Sequence, residues 1–339
     1  MTQPEFRQVD SPFRSHVAGV GSYLPEGVLT NKDLEKLVDT NDQWIVERTG
    51  IQRRHMAAPH QATSDLAYEA TLKALKMAHL TAQDIDMIIV ATVSGDQVMP
   101  STACVLQHRL GCRTIMAFDI LAACSGFVYA LSIADNFIRT GMYKNILVVG
   151  GEVLHRFVNY KDRETCILFG DAAGAWILSR TEASNPQKIM SSHLHADGGL
   201  GELFVLPGGG SRMPFSQEVL DNKKQYVTMK GREIFKNAVR TLTQCCHEAL
   251  DFNGVNATEV DWLVPHQANV RILESVADHF EFPKEKVVMS LHETGNTSAA
   301  SIPVAFDLAV QEGKIKRGQL ILLAAFGAGL TSGSLLLRY

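Results

Sequence analysis

The sequence predicts an α/β fold assembled from two similar halves. Two observations carry this. Apolar runs rich in Ile and Val alternate with amphipathic helical stretches. The same order and spacing then recur in the second half. At 339 residues and 46% hydrophobic, the chain can fill a large core.

The elements follow in chain order. "LAYEATLKALKMAHL" (66–80) has apolar residues at helical spacing, and "DMIIVATVSG" (86–95) is a strand-like run ending in a loop. "AFDILAACSGF" (117–127) is a second such run, followed by the helical "GFVYALSIADNFI". "KNILVVGGEV" (144–153) is a third. In the second half "VDWLVPHQAN" (260–269) echoes "IDMIIVATVS" (85–94), each with an Asp just before the apolar run. Asp86 precedes Cys124 by 38 residues, and Asp261 precedes Ser298 by 37. Asp86 precedes Ile146 by 60, and Asp261 precedes Leu320 by 59. The boundary is expected in the polar, Pro-bearing "SRTEASNPQ" (179–187), giving halves 1–182 and 183–339. "LPGGGSRMPFSQEVLDNKKQ" (206–225) reads as a surface insertion bordering a site.

Charge narrows the partners. A net charge of −4 with 20% charged residues gives no general attraction to nucleic acid or anionic membrane. The polar opening stretch 1–16 has no apolar segment of the signal-peptide kind, and the most apolar run, 320–330, is short and broken by Gly. The six cysteines form no CxxC, so reduced cytosolic thiols are expected, with no disulfide framework and no metal site. "GVGSYL" (19–24) fails as a dinucleotide loop, because Leu24 stands where a third Gly is needed.

In such folds chemistry gathers where strands end. Three stretches end that way, at Cys124, at His266 and, through Gly295, at Asn296. Each has a plain structural account. Cys packs as a small hydrophobe, His266 could be a satisfied core histidine, and Asn296 could cap the following helix. Together they form a set suited to thiol-based acyl transfer. A helix starting just after Cys124 would lower the pKa of its thiol. Ala122, Ala123 and Gly126 would leave room for a thioester carbonyl. The Gly-rich "AAFGAGLTSGS" (324–334) could turn bare N–H groups toward an oxyanion.

These residues resemble a known family. "DILAACSGFVYAL", "WLVPHQANVRI", "GNTSAASIPVA", "AAFGAGLTSGSLLLRY" and "GSYLPEGVLTNKDLEKLVDTNDQWIVERTGI" closely resemble β-ketoacyl-acyl-carrier-protein synthase III, of the thiolase-like superfamily, over roughly residues 17–339. The resemblance implies two duplicated βαβαβαββ halves in a five-layered αβαβα sandwich. It implies that Cys124 takes an acyl group from an acyl-CoA, and that His266 and Asn296 stabilise the enolate formed as malonyl-acyl carrier protein loses CO₂. Backbone N–H groups of Cys124 and of the turn Gly327, Ala328 and Gly329 would form the oxyanion hole, with Phe326 shaping the pocket. Coenzyme A would meet Trp44, Arg48, Arg163, Gly231, Phe235, Ala268 and Asn269. The carrier protein would meet Gln267, Ala268, Asn269, Val270, Arg271 and Lys236. No metal or resident cofactor is implied, coenzyme A entering as a thioester substrate. A cytoplasmic homodimer is implied.

The chain also departs from the family pattern. Met99 stands where Phe is common at the end of the acyl pocket, near the dimer partner, so primer length is open. Ala328 replaces a Gly, and Glu164 follows Arg163 where Gly is common. Asp278 and His279 occupy positions that are often Lys. A condensing enzyme of a specialised polyketide or signal-molecule pathway therefore stays as an alternative, and so does a non-catalytic acyl-CoA-binding module.

Overall fold

The structure, a computed structural model, describes residues 10–339; the first part of the polar opening stretch, residues 1–9, lies outside the described residues. One sheet collects Phe13–Tyr23 (β1), Met87–Ala91 (β2), Met116–Ile120 (β3), Asn145–Glu152 (β4) and Ala172–Glu182 (β5), in the order β1-β5-β4-β2-β3. A second collects Lys188–Ala196 (β6), Trp262–Pro265 (β7), Leu320–Gly327 (β8) and Thr331–Arg338 (β9), in the order β7-β8-β9-β6. The parallel strands β2 and β4 are buried along their whole length, as strands covered on both faces must be.

The two sheets follow one plan. In each, a short strand pairs in parallel with a long one, β2 with β4 and β7 with β8, and an antiparallel strand follows, β5 or β9. The two Asp residues of the sequence echo do the same work. Asp86 donates its N–H to the Asn145 carbonyl and accepts from the Asn145 N–H. Asp261 does likewise with Leu320. Each pins the start of one strand to the start of its neighbour.

One difference separates the halves. The counterpart of β3 in the second half is reduced to a single parallel bridge between Leu263 and Val287, with the Val288 N–H donating to the Leu263 carbonyl. The run "VVMS" is thus too short a ladder to be a strand.

Helices fill the remaining layers. Asp42–Thr49 (α1) carries Trp44. Thr63–Ala78 (α2) and Thr102–Leu110 (α3) cover the outer face of the first sheet, where Leu66, Ala70 and Leu106 meet Ile88, Val90 and Val149. Gly126–Arg139 (α4) lies in the central core, where Phe127 and Leu131 meet Ile89 of one sheet and Leu323 of the other. Gly231–Asn253 (α5) and Val270–His279 (α6) cover the outer face of the second sheet. Ser301–Gln311 (α7) joins α4 in the central core. The result is the five-layered αβαβα sandwich. Phe127, Trp176, Phe306 and Tyr339 form an aromatic chain through its middle, with centroids 5.3, 4.5 and 5.0 Å apart.

Glycine permits close approach of layers. A Cβ on Gly19 would lie 2.3 Å from the Ala74 carbonyl oxygen of α2, which explains "GVGSYL" as a packing feature.

Candidate active site

Two turns meet at the centre, and they are each other's counterparts. Ala123–Ser125 forms one turn of 3-10 helix and leads into α4; Ser298–Ala300 forms another and leads into α7. The first residue of each turn is a non-glycine in the left-handed region, Ala123 at φ 47° and Ser298 at φ 48°. Such backbone is uncommon for residues with a Cβ and concentrates at functional sites.

Cys124 sits in the first turn with 5% exposure. Burial pushes its thiol up to about 12, the nearby Ser298 hydroxyl opposes the rise, and Glu152 adds to it. The expected lowering by the helix end is therefore overturned. Cys124 lies in the preceding turn, before the helix proper begins at Gly126, and desolvation dominates.

The C-terminal Gly turn packs directly on the backbone of Cys124. A Cβ at Gly327 would lie 2.7 Å from the Cys124 nitrogen. Thr331 Oγ1 donates to the Ala122 carbonyl at 2.8 Å, and Ser125 Oγ donates to the Thr331 carbonyl at 3.0 Å. These bonds hold the nucleophile loop against β8 and β9. Phe326 is buried just before the turn, while Ala328 is half-buried and Gly329 exposed.

His266 follows β7 and is buried. Its Nδ1 meets Ser301 Oγ at 2.7 Å. Burial lowers its pKa to about 3, so the ring is neutral at physiological pH. In the tautomer in which Ser301 donates to Nδ1, Nε2 carries the proton and can donate.

Asn296 is held from both sides. Its backbone bonds Leu168 and Gly170, and its Oδ1 accepts from the Ser298 N–H at 2.9 Å. The Asx turn expected from sequence exists, and it aims the amide: with Oδ1 engaged, Nδ2 is left as the donor. Asn296 and His266 are thus two neutral donors, oriented by Ser298 and Ser301. Both serines lie in "GNTSAAS", where spacing alone marks Ser298 as the counterpart of Cys124 and nothing marks either as a support for the donors.

The expected coenzyme A contacts divide. Trp44 sits in α1, where Asn41 caps the helix. The guanidinium carbons of Arg48 and Arg163 lie 4.6 and 4.7 Å from its ring centroid. Asn269 caps α6, donates from Nδ2 to the Arg48 carbonyl, and lies one residue from the half-buried Ala268. Arg271 donates from Nε to the Glu47 carbonyl. These residues therefore form one corner, between α1 and α6. Gly231, Phe235 and Lys236 lie on the exposed first turns of α5. No hydrogen bond or ring contact joins those three to that corner among the described residues.

One expected contact fails. Gln267 is fully buried, and its amide bonds the carbonyls of Pro265 and Val288 and the N–H groups of Ser290 and Leu291. It braces the loop after β7 and cannot touch a carrier protein. Val270 is half-buried beside Gly50, where a Cβ on that glycine would meet it at 2.8 Å. Met99 projects from the surface, 83% exposed. Among the described residues no group of three or more His, Cys, Asp or Glu could hold a metal ion.

Comparison with known proteins agrees with this geometry. The 3-Oxoacyl-[acyl-carrier-protein (ACP)] synthase III family model matches residues 118–198, and its C-terminal companion matches 250–339. A protein named beta-ketoacyl-[acyl-carrier-protein] synthase III from Thioalkalivibrio sulfidiphilus is 51% identical over 96% of this chain and 99% of its own. The chain belongs to the 3-oxoacyl-[acyl-carrier-protein] synthase III family. A namesake from Xanthomonas campestris is 53% identical over 96% of this chain and 98% of its own. The crystal structure of a synthase III from Aquifex aeolicus superposes with a TM-score of 0.88 at 46% identity, over 96% of this chain and all of its own. Members of the synthase III family are acyltransferases that form carbon–carbon bonds, so this chain is a condensing enzyme.

Proposed function

We propose that the enzyme condenses a short acyl-CoA primer with malonyl-acyl carrier protein and releases CO₂, giving a 3-oxoacyl-acyl carrier protein that begins fatty-acid synthesis. The observation that carries this is a buried thiol whose own amide lies under the Gly327 turn, beside two neutral, preoriented donors.

The steps follow from these groups. Cys124 sulfur attacks the thioester carbonyl, the oxyanion is met by backbone N–H groups of Cys124 and the Gly327–Gly329 turn, and coenzyme A leaves as the thiol. The malonyl thioester then enters. His266 Nε2 and Asn296 Nδ2 donate to its oxygen, stabilising the enolate left by CO₂. The enolate carbon attacks the acyl-Cys124 carbonyl, the C–S bond breaks to release the Cys124 thiolate, and one proton taken up from water restores the thiol. Neutral donors suit this task because they do not protonate the carbanion they hold. No resident cofactor is needed, since loss of CO₂ supplies the driving force.

The Trp44 corner supports binding of an adenine and its phosphates, with Arg163 swinging off the ring to admit the base between them. Arg271 and Lys236 offer exposed positive charge to an acidic carrier protein. Free thiols at all six cysteines fit the cytoplasm. A homodimer is supported by β3, an edge strand, and by Val98, Met99 and Leu121 beside it, each mostly exposed. Across that face the partner would close the acyl pocket near Met99.

A second reading has one observation in its favour. The priming β-ketosynthase of the R1128 polyketide pathway is 30% identical, with a TM-score of 0.88. Rates with malonyl-carrier protein and malonyl-CoA, after acylation by acetyl-CoA, separate the two. The fatty-acid reading expects the carrier-bound malonate to be at least about tenfold better by kcat/KM. Equal or better use of malonyl-CoA would remove it.

A further inference from the structure

One buried ionisable group near the thiol has no part in the steps above. Glu152 ends β4, is fully buried, and stands where Gly327 stands on β8 in the other half, each the eighth residue of its strand. Gly327 lies under the Cys124 turn. By the same pseudo-symmetry Glu152 comes up to the Ser298 turn, and Gly150 two residues earlier confirms the approach, since a Cβ there would lie 2.2 Å from the Ala299 carbonyl oxygen.

The carboxyl is half satisfied. Oε2 accepts from Ser94 Oγ at 2.5 Å, the Val93 N–H at 3.1 Å and Thr92 Oγ1 at 3.2 Å. Oε1 is buried with no formed hydrogen bond. A carboxyl that only braced the strand ends would have both oxygens engaged, because a buried acceptor left without a donor is costly. The Ser298 hydroxyl lies close to both this carboxyl and the Cys124 thiol. The other groups around Glu152, from Thr92 to Ser94, are uncharged, so Cys124 is the titratable group it faces. Burial raises Glu152 to about 7, opposed by the hydrogen bonds from Ser94, Val93 and Thr92 and by the nearby Ser298 hydroxyl.

We propose that Glu152, acting through the Ser298 hydroxyl, is the positioning residue that accepts the Cys124 thiol proton during acyl transfer. The S–H bond breaks and its electron pair stays on sulfur. The thiol proton passes to Ser298 Oγ as the serine proton passes to Glu152 Oε1. The sulfur attacks the acyl-CoA carbonyl, and the departing coenzyme A thiolate takes up one proton, returning Glu152 to the carboxylate. The sealed pocket therefore holds one negative charge throughout, moved from carboxylate to sulfur. The neutral His266, whose Nδ1 is engaged by Ser301, is left free for the decarboxylation step.

This inference rests on the proposed acyl transfer, and the test separates the two. Wild type, Glu152→Gln and Ser298→Ala are compared for the pH dependence of Cys124 alkylation by iodoacetamide, for acylation by acetyl-CoA, and for thermal unfolding. The expected result is an inflection near pH 7 in the wild-type alkylation profile that both variants lose. Acylation at pH 7.5 falls at least about tenfold in both, and Glu152→Asp recovers part of it. Wild-type rates with an unchanged profile in either folded variant overturn the role of Glu152. If Glu152→Gln does not fold, the Ser298→Ala profile decides alone. Failure of the wild type to form an acyl adduct overturns the acyl-transfer reading instead.

Discussion

At the scale of the residue, the site depends on neutral donors held by short bonds to serine. His266 stays uncharged because burial takes its pKa to about 3, and Asn296 has no charge to lose. Replacing either with Ala is expected to lower malonyl decarboxylation by about 10²–10³-fold, the usual effect of removing one donor to a developing oxyanion. Acylation of Cys124 should stay within about threefold of wild type. Decarboxylation by the wild type should show no inflection near pH 6.5, since the ring does not titrate there. Loss of acylation in both variants would contradict this division of labour. Cys124, His266 and Asn296 were legible in the sequence because each ends a strand-like run. Glu152 was visible as a charge closing the otherwise apolar "ILVVGGEV", yet nothing local said what its carboxyl faces. Gln267 was misread for the opposite reason. Its neighbours in "HQAN" carry family resemblance, while its burial is decided by loops distant in sequence.

At the scale of the element, two turns of matched geometry bring the chemistry together. The Cys124 turn and the Ser298 turn each open a central helix, and each lies against the end of a long strand from the opposite half. Gly327 exists for this contact. Gly327→Ala would place a methyl carbon against the Cys124 amide and push the nucleophile loop off β8. Acylation should fall by at least about 10²-fold, comparable with loss of an oxyanion donor, with a smaller effect on coenzyme A binding. Unchanged acylation, read by rapid-quench mass spectrometry, would show that the amide plays no part. The duplicated spacing revealed the paired turns, because Asp86 and Asp261 anchor equivalent strand starts. It did not reveal that the counterpart of β3 shrinks to one bridge, which depends on how the 287–290 segment docks beside β7. Nor did it reveal the rise in the thiol pKa. That follows from burial of Cys124 between the Gly327 turn and the Ser298 turn, which no local pattern records.

At the scale of the whole molecule, the central α layer is shared by both sheets, so neither half buries its core alone. The fold class was legible because strands covered on both faces read as continuous apolar runs. The outward face of β3 is another matter. Leu121 is 77% exposed and Met99 83% exposed, and the proposed dimer would cover both. Leu121→Asp is expected to shift the mass in solution from two chains to one, read by analytical ultracentrifugation. A monomeric wild type would remove the dimer from the account. Whether Cys124 is the acylated nucleophile is read by intact-protein mass spectrometry after incubation with a panel of short acyl-CoA thioesters. One acyl group per chain is expected, mapped to the peptide containing Cys124 and absent in Cys124→Ser. No adduct with any short acyl-CoA, or an adduct that survives in Cys124→Ser, would contradict it.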